Sequence, residues 1–148
     1  MLRSLLFYLL LIVASVTYGQ DKIGFLSDGT NSISLRVTAY GKDAKNAAAN
    51  AKLSAIKTVL FRGIPGSNLV ENPMVGVDEA EIQKKHSKYF DELFGKGRYE
   101  SFILSDVAVS SFAKDATKKK SITLDLKVNL KALRSDLEQH NVIRKFGF

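Results

Sequence analysis

The chain has 148 residues, 45% of them hydrophobic, with two histidines, no cysteine and a formal charge of +7. The absence of cysteine excludes disulfides, thiolate metal sites, cysteine nucleophiles and the sulfur that anchors a bacterial lipoprotein. A balance this basic points to nucleic acid inside a cell, but the first twenty residues redirect that expectation.

MLRSLLFYLLLIVASVTYGQ carries one charge, Arg3, ahead of an apolar run from Leu5 to Val16. A bilayer-spanning helix needs about 20 apolar residues. A short basic start, an apolar stretch of this length and small residues before a polar one describe a secretory signal peptide. With Thr17 and Gly19 before the cut, cleavage is expected between Gly19 and Gln20; an uncleaved anchor is the competing reading. Residues 1–19 are then leader, and 20–148 form a single domain large enough to bury roughly two-thirds of its unfolded surface. Arg3 leaves with the leader, so a charge of +6 remains. For an exported protein the matching anions are lipid head groups, acidic glycans or acidic protein faces, not nucleic acid. The plainer reading of the charge is solubility.

Residues 21–31 carry turn formers and little periodicity, which predicts a loose lead-in. In SISLRVTAYG, Ile33, Leu35, Val37 and Ala39 alternate with Ser34, Arg36, Thr38 and Tyr40, the period-two pattern of a half-buried strand ending at Gly41. A helix follows, with Asp43 as N-cap. At 100° per residue Ala44, Ala48, Ala51, Ala55 and Val59 share one face, with Ala47 at its border, and Leu53, Ile56 and Leu60 form a second stripe. So many small side chains predict close seating of this helix on a sheet.

Residues 62–77 hold both prolines and three glycines and predict a long surface connection. Residues 78–94 predict a second helix, with Asp78, Glu79 and Glu81 at its start, Ile82, His86, Tyr89, Phe90 and Leu93 along one side, and Gly95 as its stop. A strand from about Tyr99 to Ala113, bent near Ser105 and Asp106, leads into the polar turn KDATKKK. In SITLDLKVNLK the residues Ile122, Leu124, Leu126, Val128 and Leu130 alternate cleanly. Leu130, Leu133 and Leu137 then turn to helical spacing up to about His140, and the tail offers Ile143, Phe146 and Phe148 for docking. The order β-α-loop-α-β-β-α predicts an α+β two-layer sandwich: a small, mainly antiparallel sheet of three to four strands with helices on one face.

Catalytic signatures are missing. His86 and His140 stand in helical contexts without the spacing of a zinc pair, and the carboxylates Asp78, Glu79, Glu81, Asp91 and Glu92 sit where helix starts and surfaces want them. RGIPGS lacks the ending of a phosphate loop. No catalytic residue, metal or cofactor is expected. A basic cluster, Lys114, Lys118, Lys119 and Lys120, lies on the hairpin turn, with Lys84, Lys85 and Lys88 on the second helix and Arg144 and Lys145 near the end. The hairpin cluster is a candidate surface for an anion or a protein partner, or equally a device that keeps strand ends soluble.

The stretch VTAYGKDAKNAAANAKLSAIKTVL resembles the strand–Gly–helix unit of the amino-terminal domain of flagellar assembly protein T and of small related envelope lipoproteins. There the strand ends in glycine and alanines recur six, ten and fourteen residues later; here these are Gly41, Ala47, Ala51 and Ala55. SITLDLKVNLKALRSDLE resembles that family's closing segment. The resemblance spans about 32–61 and 99–138. It implies a compact α+β domain in the bacterial envelope that works by protein contact and supplies no catalytic residues. The chain departs from the family in lacking the lipoprotein cysteine, in having a single domain and in its inserted helix 78–94, so a flagellar role does not carry over. The expectation is an exported, non-enzymatic module, periplasmic or associated with the outer envelope, that contacts envelope proteins through a sheet edge or the basic hairpin. The alternative is a binder of anionic lipid or glycan, and a carboxylate hydrolase is a third reading that would need two acids facing each other in a cleft.

Overall fold

A computed structural model describes residues 20–145. The signal peptide expected at 1–19 and the docking of Phe146 and Phe148 lie outside the described residues. Ile143 does pack against the core.

Among the described residues five antiparallel strands form one sheet: β1 (Lys22–Asp28), β2 (Ser32–Tyr40), β3 (Ile103–Ala108), β4 (Ala113–Lys114) and β5 (Lys120–Asn129). The order is β1-β2-β5-β3, with β4 also on β5. Among the described residues four α-helices accompany them: α1 (Ala44–Phe61), α2 (Glu79–Lys85), α3 (Ser87–Phe90) and α4 (Leu130–Gln139). This is the α+β fold read from the sequence.

The sheet is one-sided because β2 and β5 alternate. Ile33, Leu35, Val37 and Ala39 on β2 and Leu124, Leu126 and Val128 on β5 are almost wholly buried, facing the helices. The opposite face carries polar cross-strand pairs. Arg36 grips Asp125 through two hydrogen bonds of 2.7 and 2.8 Å, and the hydroxyls of Thr38 and Thr123 lie 2.7 Å apart.

Helix α1 crosses the β2–β5 pair on Ala47, Ala51 and Ala55, each fully buried, with Ile56, Val59 and Leu60 beside them. The contact face is therefore rotated from the one expected: Ala44 is exposed and Ala48 only half-buried. The rotation is set where the chain leaves β2. A Cβ on Gly41 would stand 2.5 Å from the Ala47 nitrogen and 2.7 Å from its Cα, so the strand end and the second turn of the helix touch through backbone. Asp43 caps the helix as expected, accepting from the Asn46 N–H at 2.7 Å. At the other end the connection 62–77 folds back on the helix. The Met74 and Val75 N–H groups bond the carbonyls of Val59 and Leu60, filling acceptors that a helix C-terminus leaves open. Asp28 pins this loop by accepting from the Ser67 hydroxyl at 2.6 Å and the Asn68 N–H at 2.7 Å.

Three elements differ from expectation. The lead-in 21–31 contains edge strand β1, whose alternation is broken by a register shift between Phe25 and Ser27. The helix expected over 78–94 breaks at His86, whose φ of −117° and ψ of 39° separate α2 from α3, and a π-turn at Asp91–Gly95 follows. The stop is at Gly97, in left-handed conformation, instead of Gly95. The strand expected from Tyr99 begins as a 3-10 turn at Arg98–Phe102 and is interrupted between β3 and β4. In these segments ring contacts replace periodicity: Phe61, Phe90 and Phe94 cluster with centroids 5.5–6.4 Å apart.

Replacing Ala51 by Leu should overpack the helix–sheet contact and cost about 1–3 kcal/mol. Leu at exposed Ala44 should change stability by less than about 0.5 kcal/mol. Urea midpoints at constant slope measure both; equal costs at the two positions would refute the placement of the contact face.

Candidate functional site

The lysines singled out by the sequence surround a turn built on a carboxylate. Asp115 accepts hydrogen bonds from the Thr117 hydroxyl at 2.6 Å, the Thr117 N–H at 2.8 Å and the Lys119 N–H at 3.2 Å. Tyr40, at the end of β2, donates its phenol to the other carboxylate oxygen at 2.7 Å. These donors, the Thr117 hydroxyl and Tyr40 foremost, hold the Asp115 carboxyl down to about 2. The hairpin is thereby tied to the sheet and not left as a loose loop.

Around this hub Lys114 and Lys120 sit directly opposite each other in the β4–β5 ladder, both exposed. Like charges so placed repel. Lys118 takes the left-handed φ of 64° at the turn, and Lys119 is half-buried. The Lys120 ammonium lies 5.9 Å from the centroid of the Phe112 ring. The structure therefore gathers the four lysines at one end of the sheet, with two of them paired across the ladder.

The sequence did not mark the neighbouring surface. β3 and β4 both pair with β5 on the same side, so together they line one edge of the sheet. Among the described residues nothing pairs with the outer side of β3. Leu104 and Val107 on β3, and Val109 just past its end, are 55%, 60% and 48% exposed. Val107 stands opposite Asp125, so it belongs to the open face of the sheet. Asp106 turns to the helix side, where Lys52 meets it at 2.8 Å. Apolar residues on a strand usually signal a buried face; only the strand order reveals that these are at a margin.

The carboxylates considered for catalysis stay apart. Asp78 caps α2, accepting from the Glu81 N–H at 3.0 Å, and Glu79 binds Lys57 at 2.9 Å and Gln83 at 2.8 Å. Four surface clefts are each lined by at most one carboxylate. Among the described residues no three of His, Asp and Glu are grouped as they would be around a metal ion, and no helix is long and apolar enough to cross a membrane.

Because the Asp115 carboxyl lies below its ordinary 3.8, its bonds stabilise the hairpin fully above that value. They are lost as pH falls through about 2. Amide hydrogen exchange at Thr117 and Lys119 should stay protected at pH 3.5. Asp115→Ala should abolish that protection at every pH and open 114–120 to proteolysis; unaltered protection would show that the turn does not depend on this carboxylate.

Comparison with family models, with curated proteins and with solved structures finds no match to this chain.

Proposed function

We propose that the chain is an exported, non-enzymatic module of the bacterial envelope that acts by holding another envelope protein along the β3–β4 edge. The observation that carries this reading is the exposed set Leu104 and Val107 on β3 and Val109 just past its end, beside an outer strand side that pairs with nothing among the described residues. Edge strands are normally blunted by lysine, proline or irregularity. β1, at the other margin, begins with Lys22, is broken by its register shift and ends with Asp28 bonded to the connection. β3 contains neither lysine nor proline, and its own register shift lies at Leu104, leaving Ser105–Ala108 regular. An added strand supplies main-chain hydrogen bonds, and side chains at alternate positions supply selectivity.

The edge also specifies the partner's chemistry. Its β3 end is apolar and its β4 end basic, through Lys114, Lys118 and Lys120. The complementary segment is an extended one with apolar residues at one end and acidic residues at the other. The resemblance to envelope assembly domains supports the same compartment and mode of action. That support is confined to domain type, because Gly41, Ala47, Ala51 and Ala55 answer a packing need that other strand–helix units share.

The opposed pair Lys114 and Lys120 favours a second reading, a binder of anionic lipid or glycan at the hairpin tip. An anion between the two ammonium groups would relieve their repulsion. Binding to anionic vesicles would then fall steeply with salt and disappear when the lysines are replaced by glutamine.

Cross-linking of the tagged protein in envelope extract should recover a stoichiometric partner. Val107→Lys should weaken that complex at least tenfold, which corresponds to about 1.4 kcal/mol or more, while leaving the fold unchanged, since Val107 is outside the core. A monomer that captures nothing, or capture indifferent to Val107→Lys, counts against the edge. Loss on lysine replacement alone, with vesicle binding, selects the second reading.

A further inference from the structure

The two histidines of the chain are far apart in sequence and meet at one cleft. It has a volume of about 450 Å³, with Lys85, His86, Lys88, Glu92 and His140 among its lining residues. That volume lies in the range of about 300–1,000 Å³ common for small-molecule sites. Its charge is one-sided. Among the described residues no ion pair engages Lys85 or Lys88, whereas Glu92, the only carboxylate of the lining, stands 3.8 Å from Lys96. His86 lies at the break between α2 and α3, so the interruption that the sequence did not foretell is what brings its ring to this cleft.

His140 is held in one orientation. Its Nδ1 lies 2.8 Å from the carbonyl oxygen of Asp136, and its ring centroid 5.1 Å from that of Tyr89. A carbonyl oxygen only accepts, so Nδ1 carries a proton. The Asp136 carboxylate is already occupied, by the Tyr89 hydroxyl at 2.7 Å and Arg98 Nη1 at 2.8 Å. Its nearer oxygen stays 3.7 Å from the histidine. Nε2 is therefore the ring nitrogen left for a ligand. In the neutral ring it is an acceptor, which repels an oxyanion; with a second proton it becomes a charged donor.

We propose that this cleft binds an oxyanion of the phosphate or sulfate class, and that binding is coupled to protonation of His140. Lys85 and Lys88 supply the standing positive charge and His86 a second imidazole. The groups that face His140 are Tyr89 and Asp136, with Arg98 behind them, and Lys85, Lys88 and Glu92 of the cleft lining. Anion binding and proton uptake then reinforce each other by linkage. The ligand is either a free oxyanion or the phosphate of a lipid headgroup. The site shares no residue with the β3–β4 edge, so it stands or falls separately from the proposed function.

Sulfate is the probe, because it does not titrate between pH 5 and 8. With only two histidines, each ring gives a distinct proton resonance, which can be followed across that range in sulfate and in chloride of equal ionic strength. Sulfate should raise the His140 midpoint, by about one pH unit if the charged ring is preferred tenfold. Sulfate should also bind more tightly at pH 5.5 than at 7.5. Replacing Lys85 and Lys88, both exposed, with glutamine should remove the shift without unfolding the chain, and His140→Gln should sharply reduce the difference in sulfate affinity between pH 5.5 and 7.5. Phosphatidylglycerol vesicles that displace sulfate assign a lipid headgroup; vesicles that leave it bound assign a free oxyanion. Equal midpoints in the two salts, or a shift that survives the lysine replacements, overturn the proposal.

Discussion

The contact between α1 and the β2–β5 pair determines how the rest of the molecule is arranged. Three buried alanines and a glycine let the helix backbone approach the sheet, and larger residues follow only where α1 moves towards its C-terminus. Close packing of this kind tolerates neither voids nor additions. It fixes which face of β2 and β5 is covered. It also fixes where the end of α1 lies, and hence where the connection 62–77 returns to fill the open carbonyls of Val59 and Leu60.

Coverage on one side has consequences on the other. With α1 across one face, the opposite face must satisfy its side chains within the sheet, and it does so with Arg36–Asp125, Thr38–Thr123 and Tyr40–Asp115. The last of these couples the hairpin to β2, so the basic tip is held relative to the apolar edge beside it. A firmly held surface with apolar and charged ends is suited to recognising an extended partner with little ordering cost.

The segment between Asp78 and Phe102 contributes in a different way. It has no clean period because aromatic packing against the end of α1 and the face of α4 governs its course. Tyr89 spans both environments: its ring meets Phe90 at 5.1 Å and its hydroxyl bonds Asp136. Burial first, and the bond to Asp136 next, push the Tyr89 phenol well above its ordinary value, so it remains a donor. Burial by itself would raise the Asp136 carboxyl, but Arg98 and Tyr89 together hold it below the usual range. This charged pair with its phenol links 3-10 turn, α3 and α4, and sets the position of the cleft beside them.

The sequence by itself determined the parts governed by local chemistry. Period-two alternation marked β2 and β5, Asp43 marked the start of α1, and the run of small residues announced a close approach, because side-chain direction and capping follow from neighbours along the chain. The lysines of the hairpin were legible for the same reason. Tertiary structure decided which alanines make the contact, since the backbone collision at Gly41 sets the rotation of the helix. It also decided that residues 22–28 are a strand, that β3 is an edge, that Asp115 organises the turn and that His86 and His140 share a cleft. Each of those facts depends on groups that are distant in sequence, and no local pattern encodes the strand order or the helix break that brings them together.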